Sequence, residues 1–132
     1  MFAHGATFDP HLFLTETTLE FDDVWQNNYG GDRSAGVSKS LGDGLTIRIF
    51  EQEKIAIEYL AANTNSLKAL AKYPGVSTFI LGLQYHIELD AGTLGFSMGP
   101  SALLMWHCLE IGIEPVFYVS LDHHEKSSAS PA

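Results

Sequence analysis

From residue 76 to residue 89 the side chains alternate. Phe79, Leu81, Leu83, Tyr85, Ile87 and Leu89 fall on one parity, and Thr78, Ile80, Gly82, Gln84, His86 and Glu88 on the other. Period two over that length predicts a β-strand. A wholly apolar face beside a mixed one predicts an antiparallel sheet with helices on one side and water on the other. Asp90-Ala91-Gly92 predicts a tight reversal, after which residues 93–97 return as a short second strand of a hairpin. A β-rich run at 45–50 starts after Gly42-Asp43-Gly44 and stops where helix formers begin at Glu51, so it predicts a further strand.

Between 51 and 73 the period changes. Ile55, Tyr59, Leu60, Leu67, Leu70 and Ala71 recur at spacings of three and four, with Glu in the first turn and Lys68 and Lys72 in the last. This is an amphipathic helix pattern, and Asn63-Thr64-Asn65 is its weak point, because those side chains compete for backbone hydrogen bonds. The pattern predicts a break into two helices there and an end at Pro74-Gly75. Another helix is predicted to open at Pro100 and close at Gly112, with Leu103, Leu104, His107, Cys108 and Ile111 on one side. Residues 116–121 predict a last strand. Asp9 before Pro10 reads as an N-cap and first helical residue, so a short helix through Thr17 is expected. Residues 30–44, rich in glycine and serine, predict a long loop with one short strand.

From residue 45 onward the predicted order is β-α-β-β-α-β. The fold class is therefore α+β: a ferredoxin-like antiparallel four-stranded sheet with two helices on one face, preceded by a short N-terminal helix and loop. The 132 residues, 45% of them apolar, fit one domain over 1–125. Residues 126–132 are polar and small, and predict a disordered tail.

Charge narrows the partners. Seven basic residues against sixteen acidic ones give a formal charge of −9, which repels a phosphate backbone and excludes nucleic acid. The start MFAHGATFDP has neither the basic residues nor the apolar run of a secretory signal, and no long apolar stretch predicts a membrane span. Cys108 is the single cysteine, so no internal disulfide and no cysteine-anchored metal site can form; a reducing, cytoplasmic setting is expected.

No catalytic constellation emerges. The six histidines show no metalloenzyme spacing, and Asp122-His123-His124-Glu125 abuts the polar tail, where no outer shell of residues would orient ligands, so neither metal nor cofactor is expected. His107 and Cys108 are adjacent on a predicted helix and do not face each other, which leaves a packed histidine and an inert thiol. Neither a G-x-S-x-G elbow nor a phosphate-binding glycine loop is present. The feature that resembles an interaction surface is the acidic group Glu16, Glu20, Asp22 and Asp23, followed by Trp25 and Tyr29, because aromatic anchors carry interface energy and uniform charge steers an oppositely charged partner. The expected function is a non-catalytic protein-binding module for a basic partner. The alternative is a small ligand-binding domain or enzyme, with a pocket between the helices and the N-terminal segment and His86, Glu88 or His107 as polar contacts. A homodimer through exposed sheet edges or faces is the third reading.

Three stretches, FDPHLFLTETTLEFDDVWQ, ALAKYPGV and SMGPSALLMWHCLEIGIEPVFYVSL, resemble a family of small uncharacterised bacterial proteins of about this length, some of which occur near polymorphic toxin systems. The resemblance spans about residues 8–121. It implies a bacterial cytosolic domain of the immunity-protein kind, whose partner is a basic toxin or effector, and it brings no catalytic residues with it. The sequence departs from the family pattern at Asn27-Asn28-Tyr29, where a Trp-basic-Gly run is more usual.

Overall fold

The computed structural model describes residues 1–29, 32–42, 49–89 and 101–123. The elements run β1 (Phe2–Gly5), α1 (Pro10–Glu16), β2 (Asp23–Tyr29), β3 (Asp32–Ser38), α2 (Ile49–Ala62), α3 (Thr64–Ala71), β4 (Thr78–Leu89), α4 (Ala102–Ile111) and β5 (Glu114–His123). The fold class is α+β, as expected, but the sheet differs from the expected one. Five strands stand in the order β2-β3-β1-β4-β5, and the sheet is mixed. β2–β3, β3–β1 and β1–β4 are antiparallel, while β4 and β5 are parallel. The parallel pair follows from the connection between them: β4 ends at Leu89, β5 begins at Glu114, and α4 lies in between as the crossover that parallel neighbours require.

The other corrections are local. Ile49 and Phe50 open α2 and do not close a strand, and the remainder of the 45–50 run lies outside the described residues. The return strand expected at 93–97 and the tail at 126–132 lie outside them as well. The N-terminal third carries three strands in place of the one short strand expected there.

Local signals explain the helix ends. Asp9 accepts a hydrogen bond from the Leu12 N–H at 3.1 Å and Pro10 follows it, which starts α1. Asn63 Nδ2 donates to the Tyr59 carbonyl at 2.9 Å, and Thr64 Oγ1 donates to the Leu60 carbonyl at 2.9 Å; these bonds mark the division into α2 and α3. Ser101 caps α4 by accepting from the Leu104 N–H at 3.2 Å, and Gly112, at φ 91°, supplies the left-handed C-cap.

One core joins sheet and helices. Ala3, Val37, Phe79, Leu81 and Leu83 face Phe13, Leu60, Leu67, Leu70, Leu104 and Cys108, all buried. Phe8, Phe13 and Tyr73 close it at the α1 end, with the Phe13 and Tyr73 rings 5.0 Å apart and nearly perpendicular. Leu103, expected on the buried side of α4, is 54% exposed, because the helix beds on Leu104, Cys108 and Ile111 instead.

Candidate binding surface

Strand parity decides what the opposite side of the sheet presents. With Ala3, Val37, Phe79 and Leu81 turned to the helices, their neighbours Phe2, Ser38 and Ile80 turn the other way. The register then sets Asp23 opposite Ser38, Ser38 opposite Phe2, Phe2 opposite Ile80 and Ile80 beside Glu114. One ladder thus crosses all five strands with a carboxylate at each end, over about 19 Å at the usual strand spacing. The next rung holds Trp25, Gly36, His4 and Thr78.

Gly36 is needed on that rung. A Cβ there would meet the Trp25 ring, the Ala3 carbonyl oxygen at 2.5 Å and the His4 Cβ at 2.8 Å. The missing side chain lets the Trp25 indole lie flat across β3, where its Nε1 donates to Ser34 Oγ at 3.3 Å. His4 stacks on Phe2 with ring centroids 5.7 Å apart. On the β5 side, the Tyr118 ring passes over Gly82, whose added Cβ would meet it at 3.0 Å. Phe2, His4, Trp25, Ile80 and Val116 are half-buried, Tyr118 is exposed, and none of the described helices covers this face. Among the described side chains of both rungs there is no lysine or arginine.

The six residues expected to form one acidic surface take different places. Asp23 and Trp25 share the uncovered face of β2. Asp22 is occupied structurally: its Oδ2 accepts from the Ser40 N–H at 2.6 Å and its own N–H donates to the Ser38 carbonyl at 2.9 Å, so it clamps the exit of β3. Glu16, the last residue of α1, lies close enough to Tyr73 to act on its phenol. Burial first, then the Glu16 and Asp9 charges, push that phenol above its usual range. Glu20 is exposed between α1 and β2. Tyr29 pairs its backbone with Asp32, and its side chain lies outside the described set. Sequence reasoning missed Phe2, His4, Ile80, Glu114 and Tyr118. Ile80 stood on the mixed parity of the long alternation, and Phe2 and His4 alternate with Ala3 and Gly5, but that second signal is only four residues long.

A cavity of about 210 Å³ opens beside the start of β1, where β4 runs on past it, between α2 and the 39–42 segment. Gln52 bridges it: Nε2 donates to the Gln84 carbonyl at 2.8 Å, and Oε1 accepts from the Gln84 N–H at 3.1 Å. A side-chain amide thus stands in for the next residue of a neighbouring strand. Met1 and Lys39 exchange backbone hydrogen bonds at 3.0 and 2.8 Å, and the Lys39 ammonium lies 5.9 Å from the Tyr59 ring centroid. The cavity lies between a helix and the N-terminal segment, as the ligand-binding alternative expected, but His107 does not line it. The side chains of His86 and Glu88 are outside the described set.

His107 is half-buried, and its Nδ1 is buried without a hydrogen-bond partner beside the Trp106 ring, 5.0 Å away. Cys108 is buried, and desolvation pushes its thiol up to about 11, which withholds the thiolate that nucleophilic chemistry needs. Among the described residues no three His, Cys, Asp or Glu side chains converge on a metal-sized site, and no helix is long and apolar enough to cross a membrane. The fold and this surface define an α+β domain whose sheet is packed on one face and presents aromatic groups and acids on the other. No family model matches the chain, and no curated protein or solved structure matches it either.

Proposed function

We propose that the chain is a non-catalytic, cytoplasmic protein-binding module that holds a basic partner against the uncovered face of its sheet. The observation that carries this reading is the ladder Asp23–Ser38–Phe2–Ile80–Glu114, apolar at its centre and acidic at both ends, with Trp25 on the adjoining rung. An apolar centre with a charged rim is the anatomy of a protein interface. Carboxylates about 19 Å apart fit two basic side chains flanking an apolar strip. A chain of charge −9 steers such a partner in from a distance. Blocking a basic toxin or effector, in the manner of an immunity protein, is the role that the family resemblance adds to this reading.

The test uses wild type, the charge-reversed double variant Asp23→Lys/Glu114→Lys, and Glu58→Lys on the exposed side of α2 as a control. Each is immobilised and challenged with cytosol of the native host at low and high salt. One stoichiometric basic protein should stay on wild type and on the control, leave the double variant, and elute as salt rises. The absence of a stoichiometric partner, or one held equally by the double variant, would overturn the reading.

A further inference from the structure

Trp25 gives one end of the uncovered face a feature of its own. The residue is rooted on β2, the outermost strand of the described sheet on that side, and Gly36 opposite it lets the indole lie across β3. The Ser34 hydroxyl accepts from the indole N–H at 3.3 Å and fixes the ring's rotation. One face of the ring therefore rests on the sheet, and the other is turned outward on the side that none of the described helices covers.

A free acid stands beside this ring. Asp23 precedes Trp25 by two residues on the same strand and so shares its face, about 7 Å away along the backbone. Its side chain is exposed, and among the described residues no donor or cation meets its carboxylate, whereas Asp22 next to it holds the Ser40 N–H at 2.6 Å. Ser38, directly opposite Asp23, adds a hydroxyl at the usual separation of about 5 Å between facing Cβ atoms. The described lysine side chains all lie on the helix side of the sheet: Lys39 has its ammonium 5.9 Å from the Tyr59 ring, Lys68 meets Glu110, and Lys54 and Lys72 belong to α2 and the end of α3. An outward aromatic face and a neighbouring carboxylate are thus both left without a cation from among the described residues.

We infer that Trp25 and Asp23 form the seat of one arginine side chain of the partner. The guanidinium plane stacks on the outward face of the indole, its N–H edge bonds the Asp23 carboxylate, and the Ser38 hydroxyl serves as a further acceptor. The inference rests on the partner reading for the face and the sign of the charge, and goes beyond it in naming the group that anchors the contact. A cation within about 6 Å of a ring centroid is attracted by the ring's quadrupole, most strongly for Trp. Arginine and lysine can both use that attraction, and Asp23 decides between them. A planar fork can stack on a ring and bond a carboxylate at the same time, while an ammonium is a compact, strongly hydrated point charge. The indole is also held in place beforehand by Gly36 and Ser34, so little side-chain freedom is lost when the guanidinium arrives.

The test is an NMR titration of the whole chain carrying Trp106→Phe, in which the single remaining indole N–H signal belongs to Trp25. The probes are acetyl-Gly-Arg-Gly-amide and its lysine and citrulline counterparts, at pH 7.5 and low salt. The arginine peptide should shift the Trp25 signal saturably and bind at least fivefold more tightly than the lysine peptide; the citrulline peptide, planar but uncharged, should bind no better than lysine. Asp23→Asn keeps the shape of an exposed side chain and should weaken the arginine peptide at least threefold, with its preference over lysine lost. Trp25→Leu, followed through the Gly36 amide signal, should weaken it as much. Glu114→Gln should change nothing, because Glu114 stands on β5, at the far end of the ladder. Equal affinity for the arginine and lysine peptides, an Asp23→Asn protein that binds the arginine peptide as well as wild type does, or no shift with any probe would overturn the inference. The two readings fail separately. Loss of the arginine preference removes the seat and leaves a basic partner held by the acids of the ladder, whereas an arginine seat on a chain that retains no basic protein from host cytosol removes the partner reading and keeps the seat.

Discussion

Gln52 offers a test of whether a side-chain amide takes the place of a neighbouring strand where β4 runs on past the start of β1. Its two hydrogen bonds to the Gln84 backbone, at 2.8 and 3.1 Å, are partly exposed, so each contributes at the lower end of the usual range. Gln52→Ala should therefore cost about 1–1.5 kcal/mol. Gln52→Glu is more telling because it keeps size, flexibility and the acceptor. It loses the donor and sets a carboxylate against the Gln84 carbonyl oxygen, so it should destabilise at least as much as alanine, even though it is nearly isosteric. Gln84→Ala should be close to neutral, since only its backbone takes part. Urea denaturation at pH 7.5 measures the ranking, and for a domain of this size 1–1.5 kcal/mol is a fall in Tm of about 4–6 °C. A Gln52→Glu protein as stable as wild type would show that the amide is a surface contact and not a surrogate strand.

Gly36→Ala should cost about 1–3 kcal/mol, because two of the three atoms its Cβ meets are held by the β1 backbone; thermal melts and Trp25 emission in a Trp106→Phe background read it, and an unchanged melt and spectrum would remove the proposed seat of the indole. Burial raises the Cys108 thiol from 9.0 to about 11, so unfolding releases a group that ionises more easily. Stability should be fully present below pH 9 and fall as pH rises toward 11; Cys108→Ala, compared with wild type by denaturation at pH 8, 9.5 and 10.5, should lose that part of the slope, and parallel slopes would refute it. Asp9→Ala and Ser101→Ala should each cost about 1 kcal/mol through lost caps, and the double variant should show the sum, because the caps belong to separate helices; a marked departure from additivity in urea titrations would contradict this.

Signals that act within a few residues were legible in the sequence. Asp9-Pro10 placed α1, Asn63 and Thr64 placed the division between α2 and α3, and Gly112 placed the end of α4, because each works through hydrogen bonds or dihedral preferences local to the chain. The alternation from Phe79 to Leu83 likewise showed which side of β4 would meet the helices. What was not legible is set by pairing. β1 is four residues, too short for a period to declare itself, and β2 carries Gln26, Asn27 and Asn28, which strand propensity disfavours. Of the candidate surface, Asp23 and Trp25 were singled out in the sequence, but they acquire their neighbours only through a register that joins positions 23, 38, 2, 80 and 114. Asp22, adjacent in sequence and identical in type, was claimed by the Ser40 N–H, and nothing in composition separates the two.

Across the sheet, apolar groups are framed by two acids, Asp23 opposite Ser38 and Glu114 beside Ile80, so contact of the proposed kind with a basic partner should weaken as salt screens the attraction. Binding that is equal at low and high salt would refute the electrostatic part of the proposal.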